Sequence, residues 1–119
     1  MKVYRVEHKT CGIGPYSGDV RVKYTTYKHL VPWRDGLEDC RGYHFGFISE
    51  DTLAGWFIDS LMMLHNAEYI CRVYNIKKKL VRVGRTYSQC VFARDSADSN
   101  TVISLKDIFE KYKREIYST

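Results

Sequence analysis

The sequence lacks the short motifs that identify several common enzyme classes. It contains no H-E-x-x-H, no G-x-S-x-G and no G-x-G-x-x-G, and its glycine-rich loop has no lysine placed as in a P-loop. These absences remove the usual sequence support for a metalloprotease, an α/β-hydrolase, a Rossmann enzyme or a P-loop nucleotidase. No pair of histidine and cysteine is singled out as a nucleophilic dyad either.

The sequence also lacks signals for export, membrane insertion and metal binding. No apolar run approaches the roughly 20 residues that span a bilayer, and the first eight residues lack the apolar region of a signal peptide. The four cysteines show no C-x-x-C spacing, and Cys40 with His44 is the nearest approach to a metal half-site. We therefore expect a cytoplasmic protein with reduced thiols and no metal, in which Cys71 and Cys90 are core residues.

What is present is the composition of one globular domain. Hydrophobic residues form 45% of the 119-residue chain, which is enough to bury a core without disulfides. Alternating and helical periodicities predict a single α+β domain over 1–119, with a mainly antiparallel sheet, one packed central helix and a C-terminal helix. We expect 94–119 to be a linker plus that helix. The predicted strands are 2–8, 20–27, 43–48, 69–75, 80–83 and 87–93, and the predicted helices are 50–65 and 104–117.

The central helix has the clearest sequence signal. Ser49 is a suitable N-cap, and Glu50 and Asp51 follow in the first turn, where negative charge favours a helix. An apolar stripe then repeats at helical spacing, so one face should pack on the sheet. Its members are Leu53, Trp56, Phe57, Leu61 and Leu64.

The net charge of +5 is unevenly distributed, because residues 72–94 contain no acidic residue. Basic side chains interleaved with aromatic ones on a sheet can track phosphates and stack bases, and Arg72 shares one strand face with Tyr74. The alternative is a hairpin with a solvated basic edge that prevents edge pairing. The candidate nucleic-acid residues are Arg72, Lys77, Lys78, Lys79, Arg82 and Arg85.

Two loops are candidates for recognition. Residues 12–18 are rich in glycine, and 32–36 place an aromatic ring and a guanidinium in a turn. Tyrosine, tryptophan and arginine are the residue types that most often anchor interfaces. The alternative is that Trp33 folds onto the core and Arg34 pairs locally. The predicted recognition surface consists of Tyr16, Trp33 and Arg34, with Arg5 and His44 from neighbouring strands.

Several phrases along the chain resemble a family of small phage-encoded proteins. They are VYRVEH at 3–8, GIGPY at 12–16, PWRDG at 32–36, FGFxS at 45–49, LxxWF at 53–57 and QxVF at 89–92. Together they cover roughly residues 3–92. The resemblance implies a phage protein acting in the cytoplasm of an infected bacterial host.

A weaker similarity is to ADP-ribosyltransferases of the arginine–serine–glutamate type. Arg5 on the first strand, Ser49 after a short strand and Gln89 on a later strand follow the family's order. This similarity would imply NAD as cofactor. Gln89 stands where the family has its catalytic glutamate, and an amide cannot carry the negative charge that stabilises the transition state.

Together these observations favour an accessory protein that binds a host or defence component without catalysis and without a cofactor. The alternatives are a nucleotide-binding or ADP-ribosyltransferase-like domain using Arg5, Ser49 and Gln89, and nucleic-acid binding through 72–94. The first is distinguished by geometry, because its three residues must line one cleft.

Overall fold

The computed structural model describes residues 1–15 and 43–117, with side chains up to 115. Several predictions fall outside these residues and are not addressed by the structure. They are the strand at 20–27, the recognition residues Tyr16, Trp33 and Arg34, the metal-ligand candidate Cys40 and the side chain of Ile116.

Within the described residues, six strands and three α-helices form an α+β domain, as predicted. Short 3-10 turns at Lys78–Leu80 and Arg94–Ser96 connect some of them. In chain order the elements are β1 (Lys2–His8), β2 (His44–Phe47), α1 (Glu50–Phe57), α2 (Leu61–Asn66), β3 (Tyr69–Asn75), β4 (Arg82–Val83), β5 (Gln89–Phe92), β6 (Ser99–Ile103) and α3 (Leu105–Tyr117).

The strands form one sheet in the order β4-β5-β2-β1-β3-β6, and each neighbouring pair is antiparallel. Strand β1 lies inside the sheet, where Tyr4 is opposite Phe47 of β2 and Val73 of β3. Pairing of β1 with β3 extends along all seven residues of β1. This long ladder places every β1 side chain in a fixed position on one face or the other.

The two faces of the sheet differ in character. Tyr4 and Val6 face the helices, which cover that side with a core containing Trp56 and Phe57. Because strand side chains alternate, Val3, Arg5 and Glu7 lie on the opposite face. We call this second side the open face. This face holds a smaller apolar cluster of Val3, Tyr74, Ile76, Cys90 and Phe92.

The central helix is interrupted, so the prediction of one helix over 50–65 is wrong in its continuity. Helix α1 ends at Phe57, and α2 begins at Leu61 after a turn in which the Ser60 amide bonds the Phe57 carbonyl at 2.7 Å. Ser60 is fully buried at the start of α2, and serine favours such cap positions over helix interiors. All five residues of the predicted stripe are nevertheless buried, as the periodicity required: Leu53, Trp56, Phe57, Leu61 and Leu64.

Ser49 occupies the N-cap of α1 with extended backbone dihedrals, as predicted. Its hydroxyl makes no bond to a helix amide, however, and lies 2.6 Å from the Thr52 hydroxyl instead. Glu50 also has a second role, because one of its oxygens accepts from Lys111 Nζ and the Tyr112 hydroxyl, both at 2.9 Å. The start of α1 is thereby tied to α3.

The predicted hairpin between 69–75 and 80–83 is absent. Strand β4 pairs with β5 and forms one edge of the sheet, whereas β3 pairs with β1 and β6 at the other end. The lysine-rich segment therefore crosses the sheet rather than forming a tight turn. Part of it adopts the 3-10 turn at Lys78–Leu80.

The segment expected to be a linker before α3 contains strand β6. Ser99–Ile103 pairs with β3 over five positions, from Asn75↔Ser99 to Cys71↔Ile103. Its polar first half, Ser99-Asn100-Thr101, has the composition of a loop, but the available edge of β3 provides hydrogen-bond partners for it. Helix α3 follows directly and is confirmed, with Leu105 and Ile108 buried.

Candidate functional site

A buried carboxylate organises the open face of the sheet. Glu7 of β1 has only 3% of its side chain exposed and sits beside three guanidinium groups. Its Oε2 atom accepts from Arg72 Nε at 3.2 Å and lies 3.6 Å from Arg94 Nη1. Its Oε1 atom accepts from the Tyr74 hydroxyl at 2.5 Å and lies 3.4 Å from Arg5 Nε. We call Arg5, Glu7, Arg72, Tyr74 and Arg94 the ionic cluster.

The chain positions this cluster through strand register. Arg5 and Glu7 are two residues apart on β1, and Arg72 and Tyr74 are two apart on β3, so each pair shares a face. Arg5 is directly opposite Arg72 in the ladder. Glu7 lies between these like charges, and its carboxylate offsets their repulsion. The predicted sharing of one face by Arg72 and Tyr74 is confirmed by their common partner Glu7.

Arg5 is the structural arginine of the cluster. Its Nη1 donates to the Phe45 carbonyl at 2.8 Å and its Nη2 to the Gly12 carbonyl at 3.4 Å. Its buried Nε has no hydrogen bond, because the approach to Glu7 is an ion pair without suitable alignment. Burial lowers the pKa of Arg5, and the nearby Arg94 charge lowers it further, while Glu7 opposes both effects. Arg5 thus joins β1, β2 and the loop after β1.

Gly12 allows that loop to approach the cluster. Its φ is +71°, which side-chain-bearing residues rarely adopt, and a Cβ there would lie 2.2 Å from Arg94 Nη1. The Gly12 carbonyl accepts from both Arg5 and Arg94, the latter at 3.2 Å. Glycine at this position therefore has a specific structural reason, because it allows the left-handed backbone and leaves room for Arg94 beside the loop.

His44 contacts the outer side of the cluster. Its Nε2 accepts from Arg94 Nε at 3.1 Å, so the neutral ring carries its proton on Nδ1. Partial burial lowers the pKa of His44, and the positive charges of Arg5 and Arg94 lower it further. Of the predicted recognition surface, Arg5 and His44 are therefore brought to one site.

The Tyr74 hydroxyl remains a donor at all physiological pH values. Burial, followed by its hydrogen bond to Glu7 and the charge of that carboxylate, raises the pKa of Tyr74 to about 12. The Tyr74 hydroxyl is therefore not placed to lose its proton near neutrality.

A cleft of about 410 Å³ opens over the cluster. Arg72 and Arg94 reach it with 23% and 34% of their side chains exposed, respectively. Asn100 contributes from β6, where its Oδ1 accepts from Arg72 Nη1 at 2.8 Å. The lining consists of Glu7, Lys9, Thr10, Cys11, Gly12, Arg72, Tyr74, Arg94, Asp95 and Asn100.

The arginine–serine–glutamine set does not come together. Gln89 is opposite Phe47, which is opposite Tyr4, so Gln89 lies on the helix-covered face of the sheet. Arg5 lies on the open face, and Ser49 is at the start of α1. The side chains of Arg5 and Gln89 therefore point to opposite sides of the sheet, so the three residues do not line one cleft on either face. This geometry gives no support to an NAD-dependent transferase.

The basic stretch is divided between two environments. Arg72 belongs to the ionic cluster, whereas Lys77, Lys78, Lys79, Arg82 and Arg85 are exposed near the β4 edge. Tyr74 and Phe92 are buried and cannot stack bases, but Tyr87 is 76% exposed at the turn between β4 and β5. A second cleft of about 380 Å³ lies by this edge and includes Tyr43, Lys79 and Arg82.

Two of the cysteines, Cys71 and Cys90, are core residues, as predicted, whereas Cys11 is exposed. Cys71 and Cys90 are fully buried, and burial raises the pKa of each thiol to about 12. Both are therefore unreactive thiols at neutral pH. Among residues 1–15 and 43–117 there is no group of three or more His, Cys, Asp or Glu side chains that could hold a metal. No described helix is long and apolar enough to cross a membrane.

Sequence reasoning missed the centre of the site. Glu7, Gly12, Arg94 and Asn100 were not predicted as site residues. The alternation Arg5-x-Glu7 was the one available signal, since it places opposite charges on one strand face. Arg94 lies in a turn at the end of the basic stretch and Asn100 in the strand that follows, and only the fold brings them beside β1.

Fold and site together define a small antiparallel α+β protein built around a buried carboxylate with three arginines. Its sequence matches the family model described as Bacteriophage T4 Y00F protein over residues 1–106. The chain therefore belongs to this phage protein family, which confirms the resemblance and extends it through β6 to the start of α3. No curated protein and no solved structure matches the chain.

Proposed function

We propose that this protein is a non-catalytic phage accessory protein that binds a phosphate-bearing host or defence component, of nucleotide size, at the Arg72–Arg94 cleft. The supporting observation is the excess of positive charge at an open site. Three guanidinium groups converge on one carboxylate. The protein would act in the cytoplasm of the infected host.

The charge balance favours an anion. Glu7 offsets one of the three positive charges, and Asp95 at the rim offsets part of the remainder. Lys9, also on the rim, pairs with Glu68 at 3.1 Å. Arg72 and Arg94 are oriented by fixed partners, so little side-chain freedom is lost when their outer Nη atoms bind a ligand.

Phosphate suits this site better than a neutral ligand. Guanidinium groups bind phosphate oxygens through paired, charge-assisted hydrogen bonds. The cleft volume of about 410 Å³ is within the range of small-molecule sites. Neither acid of the ionic cluster is positioned as a general base, since Glu7 is enclosed by donors and the pKa of Tyr74 is high.

The test is titration with inorganic phosphate, pyrophosphate and a set of nucleotides, followed by calorimetry. The double variant R72A/R94A should lose binding by at least about tenfold, equivalent to 1.4 kcal/mol. R85A removes an exposed arginine at another site and is the matched control. Arg72→Lys keeps the charge and should still weaken binding, because lysine cannot form a paired contact. Wild-type protein that binds none of these anions at low salt contradicts the proposal.

A second candidate function is binding of single-stranded nucleic acid at the β4 edge. The favouring observation is Tyr87, which is exposed although its φ of +57° is a left-handed conformation that is rare for non-glycine residues. An exposed aromatic ring kept in such a turn, two residues from Arg85 and after the strand that the three lysines precede, would provide stacking, and the basic side chains would provide phosphate contacts.

Measuring the binding of both ligands to every variant separates the two candidate functions. K77E/K78E/K79E should weaken oligonucleotide binding and reduce its salt dependence, because each lost phosphate contact lowers the slope of log K against log salt by about 0.7. Y87A should weaken binding without changing that slope. Both variants should leave nucleotide binding intact, and R72A/R94A should leave oligonucleotide binding intact. Loss of both ligands in all variants would contradict two separate sites.

A further inference from the structure

The net charge of the ionic cluster follows from its contacts. The three guanidinium groups carry one positive charge each and the buried Glu7 carboxylate carries one negative charge, so the net charge is two positive. Tyr74 adds no charge, because burial and its hydrogen bond to Glu7 raise its pKa to about 12. His44 adds none while its Nε2 accepts from Arg94 Nε. A ligand with two negative charges would therefore neutralise the cluster, whereas a ligand with one would leave it half compensated.

The two partly exposed arginines of the cluster lie close enough to contact one phosphate group. Arg72 Nε is 3.2 Å and Arg94 Nη1 is 3.6 Å from the same oxygen, Glu7 Oε2. A guanidinium group binds phosphate best through two parallel hydrogen bonds to two oxygens. A phosphate monoester has three terminal oxygens, so two guanidinium groups can each bind a pair by sharing one oxygen. A phosphodiester has two terminal oxygens and can satisfy only one guanidinium group in this way.

The rest of the cleft favours an uncharged group beside that phosphate. Outside the ionic cluster, the charged members of the described lining are Lys9 and Asp95. They have opposite signs, and Lys9 also pairs with Glu68 at 3.1 Å. A second phosphate would therefore find no further excess of positive charge, and the exposed Asp95 carboxylate would repel it. A sugar hydroxyl can instead donate a hydrogen bond to such a carboxylate, as ribose does at other nucleotide sites.

We propose that the Arg72–Arg94 cleft selects the dianion of a terminal phosphate monoester, and that its ligand is a nucleoside monophosphate. The inference rests on the proposed function and names the chemical class of its ligand. Arg72 and Arg94 select the monoester over a phosphodiester, and Asp95 selects a single phosphate on a sugar over a chain of phosphates. The cleft thereby differs in specificity from the β4 edge, where the proposed ligand is a phosphodiester backbone.

A matched pair of small probes tests the charge preference without assuming a base. At about pH 8 methyl phosphate is a dianion, since the second pKa of a phosphate monoester is about 6, whereas dimethyl phosphate carries one charge. In NMR titrations wild type should bind dimethyl phosphate at least about tenfold more weakly, as expected for one lost charge-assisted hydrogen bond. R72A leaves one exposed guanidinium group, so the ratio of the two dissociation constants should fall towards one. R85A should keep the wild-type ratio.

A second set of probes tests the role of Asp95. Relative to methyl phosphate, D95A should bind pyrophosphate about two- to fivefold more tightly, the range for an exposed charge interaction. The same variant should lose the advantage that ribose 5-phosphate has over methyl phosphate in wild type, because the hydroxyl acceptor is gone. D98A removes an exposed carboxylate that is not part of the cleft lining, and it should leave both ratios unchanged.

The outcomes separate this inference from the proposed function. Wild type that binds dimethyl phosphate within about twofold of methyl phosphate overturns the monoester preference while keeping an anion site. This comparison needs no variant, so it does not depend on whether R72A folds. Relative affinities that D95A leaves unchanged overturn the selection of a single phosphate on a sugar. If methyl phosphate, phosphate and pyrophosphate all fail to bind wild type at low salt, the proposed function is wrong and this inference falls with it.

Discussion

Replacing Glu7 with glutamine tests the organisation of the whole open face. The amide has nearly the same shape as the carboxylate but no charge. It would leave Arg5, Arg72 and Arg94 without their shared counter-ion, and Arg5 itself is only 7% exposed. Its NH₂ group would also meet a guanidinium donor, because Tyr74 and Arg5 approach one carboxylate oxygen while Arg72 and Arg94 approach the other.

The expected loss is about 3–5 kcal/mol of unfolding free energy, which is the range for removing one partner of a buried ion pair. That loss is a large share of the roughly 5–15 kcal/mol that stabilises a small domain, so E7Q should fold but melt early. Phosphate should restore part of it. A ligand at a hundred times its dissociation constant adds about 2.7 kcal/mol to the folded state, and it would supply the missing negative charge.

Urea unfolding of wild type and E7Q, with and without phosphate, measures both effects. The matched control is E110Q, since Glu110 is exposed and pairs with Lys113 only at the surface, at 2.6 Å. E110Q should change stability little and gain no extra response to phosphate. If E7Q unfolds within about 1 kcal/mol of wild type, the cluster is not held by Glu7 and the reasoning fails. An E7Q protein that is destabilised but responds to phosphate no more than wild type refutes the anion site alone.

Three further predictions concern single positions. Trp56→Ala should destabilise by about 3–5 kcal/mol, because the ring is buried against Phe47, and unchanged melting would refute its place in the core. Gly12→Ala should lose about 1–3 kcal/mol and weaken phosphate binding, since its Cβ would displace Arg94, whereas unaltered affinity would contradict that contact. The pKa of His44 is lower in the folded protein than its ordinary value near 6.5. The stability that the neutral His44 ring contributes is therefore present above pH 6.5 and is lost as the pH falls through the folded pKa. His44→Gln, which can still accept from Arg94, should reduce the fall in stability between pH 7.5 and 5.5, and an identical pH profile would be the contrary result.

The sequence predicted the elements with strong periodicity and missed those determined by distant partners. The strands predicted at 2–8 and 69–75 and the helix predicted at 104–117 carry patterns that packing reinforces, and the structure has them at Lys2–His8, Tyr69–Asn75 and Leu105–Tyr117. Strand β6 could not be identified locally, because Ser99, Asn100 and Thr101 are polar and exposed. Its strand state depends on the free edge of β3, which is a tertiary property.

The site was harder to predict than the fold for a related reason. Arg5 and His44 were identified as recognition residues, and the structure brings both to the cluster. Glu7 was not identified, because a glutamate on a strand is ordinarily solvent-facing, and only the pairing of Arg5 with Arg72 in register explains its burial. The ADP-ribosyltransferase order failed on the same point, since sequence order does not tell which face of a sheet a residue occupies.

The same arginine side chains serve stability and the proposed binding, because they cover part of the open face and also line the cleft. The described helices cover the other side of the sheet, and part of the open face buries its own apolar cluster. Next to that cluster the covering groups are arginine side chains and the loop containing Gly12. Arginine stems cover apolar surface while their guanidinium groups stay charged, so this closure needs a buried acid to hold them. Since one acid holds three arginines, the arrangement that covers this part of the sheet leaves excess positive charge at the cleft, which is the charge that the proposed phosphate ligand would meet.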